Sequence, residues 1–137
     1  MTDIAVTSTT YQPTDRPWLL WEADGKYGSV ARTSGTINFA LFTAGTHYPN
    51  GYIPSGTVVG KVTTGGRIGP YDNAQTDGRQ TAVGFLFNDT KVPTDTATKV
   101  EVAIVDAFAA VSQSRLPANH GLDAAGITDL ALIKVRA

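Results

Sequence analysis

Glycine and proline interrupt this chain from one end to the other, and that punctuation confines it to short elements. Fourteen Gly and seven Pro are spread over 137 residues, and each interruption favours a turn over a continued helix. The runs between them are rich in Thr, Val, Ile, Phe and Tyr, side chains that fit a pleated, half-buried surface. The expected fold is therefore mainly β with one short C-terminal helix (α+β). We expect a small compact β-rich domain over residues 17–137, preceded by a flexible N-terminal arm over residues 1–16. A chain of this length matches a single domain, since domains most often run to about 100–150 residues.

The periodicity places the elements. Thr36 to Phe42 alternates, with Ile37, Phe39 and Leu41 on one face. Thr57 to Thr63 is an expected strand, and Gly65-Gly66 supplies a hairpin turn. Arg67-Ile68 continues the hairpin, and Gly69-Pro70 is expected to break it. Thr81 to Phe87 is apolar on both faces, with Val83, Phe85 and Phe87 on one and Ala82, Gly84 and Leu86 on the other, so it should be central. Lys99 to Phe108 puts Val100, Val102, Ile104 and Phe108 on one face. Leu122 to Leu130 has helical spacing with Asp123 as N-cap, and Leu132 to Arg136 closes the chain as a strand.

Several function classes are disfavoured. Cys is absent, which removes a disulfide framework, a thiol nucleophile and Cys-ligated zinc. The formal net charge is −1, without the basic excess of a nucleic-acid-binding domain. No apolar run reaches the ~18 residues of a membrane-spanning helix. Met1-Thr2-Asp3 lacks the basic start and apolar stretch of a secretory signal. No cofactor, metal or catalytic residue is expected.

The motifs that hint at chemistry read better as structure. Gly56 to Val62 loosely resembles a phosphate-binding loop, but the spacing is short by one residue and Val62 stands where Ser or Thr must reach magnesium. Asp72, Asn73 and Asp77-Gly78 lack the alternating oxygens and distal Glu of a calcium loop, and suit a turn held by side-chain oxygens. Asp123 and Asp129 lie two helical turns apart and read as solvated. A small hydrolase would have to use His47 or His120 with an Asp partner. A carbohydrate- or receptor-binding β-domain would stack sugars on Trp18, Trp21, Tyr48, Tyr52 or Tyr71. Two Trp within four residues, Trp18 and Trp21, otherwise anchor a core or an interface. In the arm, Ile4, Val6 and Ser8 alternate with Ala5 and Thr7, a pattern that becomes a strand when a sheet edge is offered.

An ordered series of blocks resembles a known family. Ile53-Pro54-Ser55-Gly56-Thr57-Val58-Val59-Gly60-Lys61-Val62 comes first, then Gly69-Pro70-Tyr71-Asp72, then Asp77 to Leu86. An alternating strand at Val100–Phe108 leads to Ser114-Arg115-Leu116-Pro117, followed by the short helix and final strand. From Ile53 onward this resembles the head decoration proteins of tailed bacteriophages, the lambda-like capsid-stabilising or cement proteins. The resemblance implies a virion protein that sits as homotrimers at three-fold positions on the outer surface of the expanded head. It implies binding to the major capsid protein, with neither nucleic acid nor membrane as partner, and resistance to the pressure of packaged DNA. It also implies that arm residues Ile4, Ala5, Val6, Thr7, Ser8 and Tyr11 engage the capsid, with Trp18 and Trp21 as candidate interface residues. Residues 17–56 exceed what the short family members carry.

Overall fold

The structure, a computed structural model, describes residues 16–20 and 31–136. Nine strands are described: β1 Ala31–Ile37, β2 Tyr52–Ile53, β3 Val58–Lys61, β4 Ile68–Pro70, β5 Ala82–Leu86, β6 Thr90–Lys91, β7 Val100–Ala107, β8 Ala109–Ser112 and β9 Ile133–Arg136. Two short helices accompany them, a single turn α1 at Ala44–His47 and α2 at Ala124–Asp129. The molecule is mainly β, as its β-branched and aromatic runs lead one to expect.

Five strands close into a barrel in the order β1-β4-β3-β5-β7, with β7 pairing back to β1. The β1–β4 contact is parallel, at Ile37↔Ile68, and the other pairings are antiparallel. Beside the barrel, β8 and β9 form a parallel pair from Ala109↔Ile133 to Ser112↔Arg136. Residues Trp18 to Leu20 run along the other side of β8, with a bridge at Leu19↔Val111.

Two apolar clusters follow from this layout. Inside the barrel, every strand contributes: Ile37, Val59, Ile68, Leu86, and Val102 with Ile104, joined by Phe39, Phe42 and Ile53. On the outer face of β3, β5 and β7, a second cluster packs Val58, Phe85 and Val105 beneath Trp18, Val111, Leu130 and Ile133. Neighbours Val58 and Val59 serve different clusters, as strand alternation dictates. The same holds for Phe85 and Leu86, so β5 is buried on both faces and lies between β3 and β7, as its doubly apolar sequence requires.

Several expectations are corrected. The strand expected over Thr36–Phe42 ends at Ile37, because the Asn38 side chain accepts a hydrogen bond from the Ala40 N–H and turns the chain into a 3-10 turn at Phe39–Leu41. Gly69-Pro70 does not break the hairpin but belongs to β4. Pro70 is tolerated there because β1 pairs with β4 only at Ile68, so its missing N–H interrupts no ladder on that side. The faces of β5 do not alternate cleanly. A register shift between Val59↔Gly84 and Gly60↔Ala82 leaves Val83 as an extra residue, so Val83 packs with the barrel interior while Ala82 shares the outer cluster with Phe85. Phe108 does not share a face with Ile104. β7 ends at Ala107, and Phe108 turns the corner into β8 in a left-handed conformation (φ 55°), 70% exposed.

The hairpin itself forms as read. The Val62 N–H donates to the Arg67 carbonyl, and Gly65 and Gly66 take the positive φ values of 85° and 68° that the turn needs. The Asp123 carboxylate caps α2 by accepting from the Gly126 N–H at 2.8 Å.

Candidate functional site

The richest set of long-range polar contacts lies where the N-terminal segment meets the domain. The Trp18 ring stacks on Phe85 with centroids 5.4 Å apart at 28° and is 1% exposed. Its indole N–H donates to Ser55 Oγ at 3.1 Å. That hydroxyl donates in turn to the Phe87 carbonyl at 2.7 Å, and the Ser55 N–H donates to the Asp89 carboxylate at 2.7 Å. Gly56 is required beside them: its φ is +96°, and a Cβ there would stand 2.9 Å from the Trp18 indole nitrogen. The backbone completes the attachment, with Leu20 N–H donating to Ala110 and Ser112 N–H to Trp18. Arg16 donates through Nε to the Phe87 carbonyl at 2.8 Å and through Nη2 to Asn88 Oδ1 at 2.6 Å. Its guanidinium lies 3.8 Å from the Phe87 ring centroid, and that of Arg32 lies 4.7 Å away.

These contacts fix the base of any N-terminal arm. Arg16–Leu20 is sewn to Phe87 and Asn88 after β5 and to β8. Trp18, one of the two candidate interface tryptophans, is a core residue of this attachment. Trp21 lies outside the described residues, as do the arm residues Ile4, Ala5, Val6, Thr7, Ser8 and Tyr11. The role of Ser55 is not visible in sequence, because its partners stand 37 and 32 positions away. The one local signal is its place before an obligatory glycine.

The alternative chemistries find weaker support. Trp18 and Tyr71 are buried, so neither offers a ring face for a sugar. His47 lines a surface pocket of about 370 Å³ with Arg79, Asp72 and Asn119. However, its Nδ1 accepts the Thr43 N–H at 2.8 Å, and Nδ1 of His120 likewise accepts the Leu122 N–H at 2.8 Å. Each neutral ring must then carry its proton on Nε2, the reverse of a catalytic base whose Nδ1–H is held by a carboxylate. Burial holds both imidazoles below their ordinary range, and the nearby Arg79 adds to this for His47.

The carboxylates are engaged structurally. Asp72 accepts from the Ala74 N–H and Gln75 Nε2, which hold it below the usual range, and Asp77 is held low by the Arg79 N–H and pairs with the Arg79 side chain at 3.0 Å. Asp123 also accepts the Tyr71 hydroxyl at 2.8 Å; burial and this bond push the phenol well above its ordinary range. Asp129, expected to be merely solvated, accepts the Ala82 N–H at 3.0 Å and ties α2 to β5. The loosely phosphate-loop-like segment is mostly strand β3. Among the described residues, no three His, Asp or Glu side chains come together to hold a metal.

A family model described as bacteriophage lambda head decoration protein D covers residues 8–135. The span includes residues 17–56, which lie mostly outside the blocks that carry the sequence resemblance. No curated protein matches the chain.

Proposed function

Because the chain belongs to the bacteriophage lambda head decoration protein D family, a family of capsid-associated virion proteins, we propose that it clamps the outer surface of the expanded phage head. It acts as a homotrimer at three-fold positions, each trimer bridging neighbouring copies of the major capsid protein against the pressure of packaged DNA. The role is structural and needs no catalytic group. The observation that carries this reading is the family match over residues 8–135 of the 137. The arm fits it as well. Ile4, Ala5, Val6, Thr7 and Ser8 have strand alternation, Tyr11 adds an aromatic contact, and adding a strand to a sheet edge gives affinity through main-chain bonds. A trimer touching several capsid subunits multiplies modest contacts into high avidity. Preference for expanded heads follows if the bound surface exists only in that state.

The test is co-sedimentation with expanded and unexpanded heads that lack the protein, counting bound copies. Saturable binding to expanded heads alone, three copies per site, is expected. Removing residues 1–15 should weaken that binding while the melting temperature stays unchanged. Absence of binding by the intact protein would sink the reading.

A further inference from the structure

The barrel seam leaves one sheet edge open. β1 meets β4 only at Ile37↔Ile68, so Arg32 to Thr36 have no described strand beside them on that side. The ladder fixes which groups face the opening. Ala103, opposite Ser34, turns its carbonyl away from β1 to accept the Phe87 N–H at 3.0 Å, and opposite residues of an antiparallel ladder turn inward together or outward together. Just past β1, at the same parity, the Asn38 N–H donates outward to the Ile68 carbonyl at 2.8 Å. The N–H and C=O groups of Arg32, Ser34 and Thr36 therefore face the open side, and none has a backbone partner among the described residues. Arg32, Thr33 and Ser34 are exposed. Folded chains blunt such edges with charge, proline or a bulge. Here Arg32 and the register shift beside it blunt one end, whereas Ser34 to Thr36 carry neither charge nor proline.

The chain itself supplies a strand for this edge. The N-terminal segment joins the described fold beside the start of β1: the Arg16 guanidinium lies 3.8 Å from the Phe87 ring centroid, and that of Arg32 lies 4.7 Å from the same centroid. Ile4 to Ser8 alternates and matches the length of the open edge from Arg32 to Thr36. Pro13, which cannot donate to a ladder, falls between that stretch and Arg16. Residues 9–15 reach up to roughly 23 Å when extended, more than the roughly 16 Å that five residues of strand cover. Because the arm ends at Arg16, by Arg32, its direct path places Ser8 near Arg32 and Ile4 near Thr36, antiparallel to β1. We propose that Ile4 to Ser8 docks as an antiparallel strand on the open β1 edge of its own chain, bonding to Arg32, Ser34 and Thr36. The proposal does not rest on the decoration reading. Capture of the arm by a capsid edge, as in that reading, exchanges one ladder for another.

The test is residue-resolved amide exchange on the full chain and on Val6→Pro/Thr7→Pro. Neighbouring residues of a strand turn their N–H groups to opposite sides, so one of the two prolines removes a ladder bond in any register. The Arg32, Ser34 and Thr36 amides should exchange more slowly in the parent than in the variant, by about tenfold or more, while Thr33 and Gly35, whose N–H groups face β7, stay alike in both. Equal exchange of the three outward amides would overturn the proposal. A second variant reads the contact directly. The chain has no Cys, so a nitroxide on Ser8→Cys is the single label, and in isotope-labelled protein diluted into unlabelled parent it should broaden the Arg32 to Ser34 amides. Sharp signals there would also overturn the docking. Finally, the isotope-labelled proline variant, refolded with excess unlabelled parent, should keep its fast exchange. Recovered protection would assign the edge to another copy's arm and overturn docking within one chain. Head binding is read separately: a protein that binds heads but fails these tests keeps the decoration reading and loses this one.

Discussion

The two apolar clusters of this domain are built by opposite strategies. The barrel interior is filled by all five barrel strands plus Phe39 and Phe42 at the 3-10 turn and Ile53 of β2. The five strands close around it, the β1–β4 seam through the single pairing Ile37↔Ile68. The outer cluster is half strand face and half cover, and its cover comes from both ends of the described chain: Trp18 and Leu19 on one side, Ala109 to Ile133 on the other. The barrel is thus a closed unit, whereas the outer cluster is a joint. The joint holds the N-terminal attachment, and its far side carries the exposed face of β8 and β9.

Core truncations should separate the two most sharply. Phe85→Ala and Leu86→Ala remove adjacent, fully buried side chains from opposite faces of β5. Losses of about 3–5 kcal/mol and about 2–5 kcal/mol are expected, respectively. Amide exchange should then show Phe85→Ala releasing protection in β8, β9 and Arg16–Leu20 ahead of the barrel, and Leu86→Ala lowering protection throughout. Identical exchange maps for the two variants would abolish the distinction between body and joint. An unchanged melting temperature for Phe85→Ala would refute the central placement of β5.

A smaller effect should sharpen the picture of the joint. Ser55→Ala leaves the buried Trp18 indole N–H without its acceptor, at a cost of about 1–3 kcal/mol. The loss should be confined to the joint, visible as a shifted Trp fluorescence with barrel amides still protected. Full retention of stability would show that the hydroxyl does not hold Trp18.

The smallest effect is on pH. Both imidazoles are held below their ordinary value of 6.5 in the folded chain. The unfolded chain therefore takes up protons first, so the stabilisation present above pH 6.5 declines as the pH falls through that value. The low Asp72 carboxyl adds a second decline below about pH 3.8. His120→Asn keeps an acceptor for the Leu122 N–H and removes the titrating ring. Its melting temperature should fall less between pH 7 and pH 5 than the parent's. Parallel pH profiles would exclude His120 from the acid response.

What could be read from the sequence was local. Gly/Pro spacing required short elements, the doubly apolar run at Thr81–Phe87 located the central strand, and Asp123 announced its helix. The Gly65-Gly66 turn and the final strand at Ile133–Arg136 were visible for the same reason: turn geometry, capping and alternation are decided by neighbours a few positions away. The tertiary structure decided the rest. Closure of β7 on β1, the bulge that reassigns Val83, the Ser55 bridge to Trp18 and the outward Phe108 depend on residues tens of positions apart. Strand alternation assigns a side chain to one of two faces, but a bulge or a corner exchanges those faces, and only the packed chain shows where one occurs.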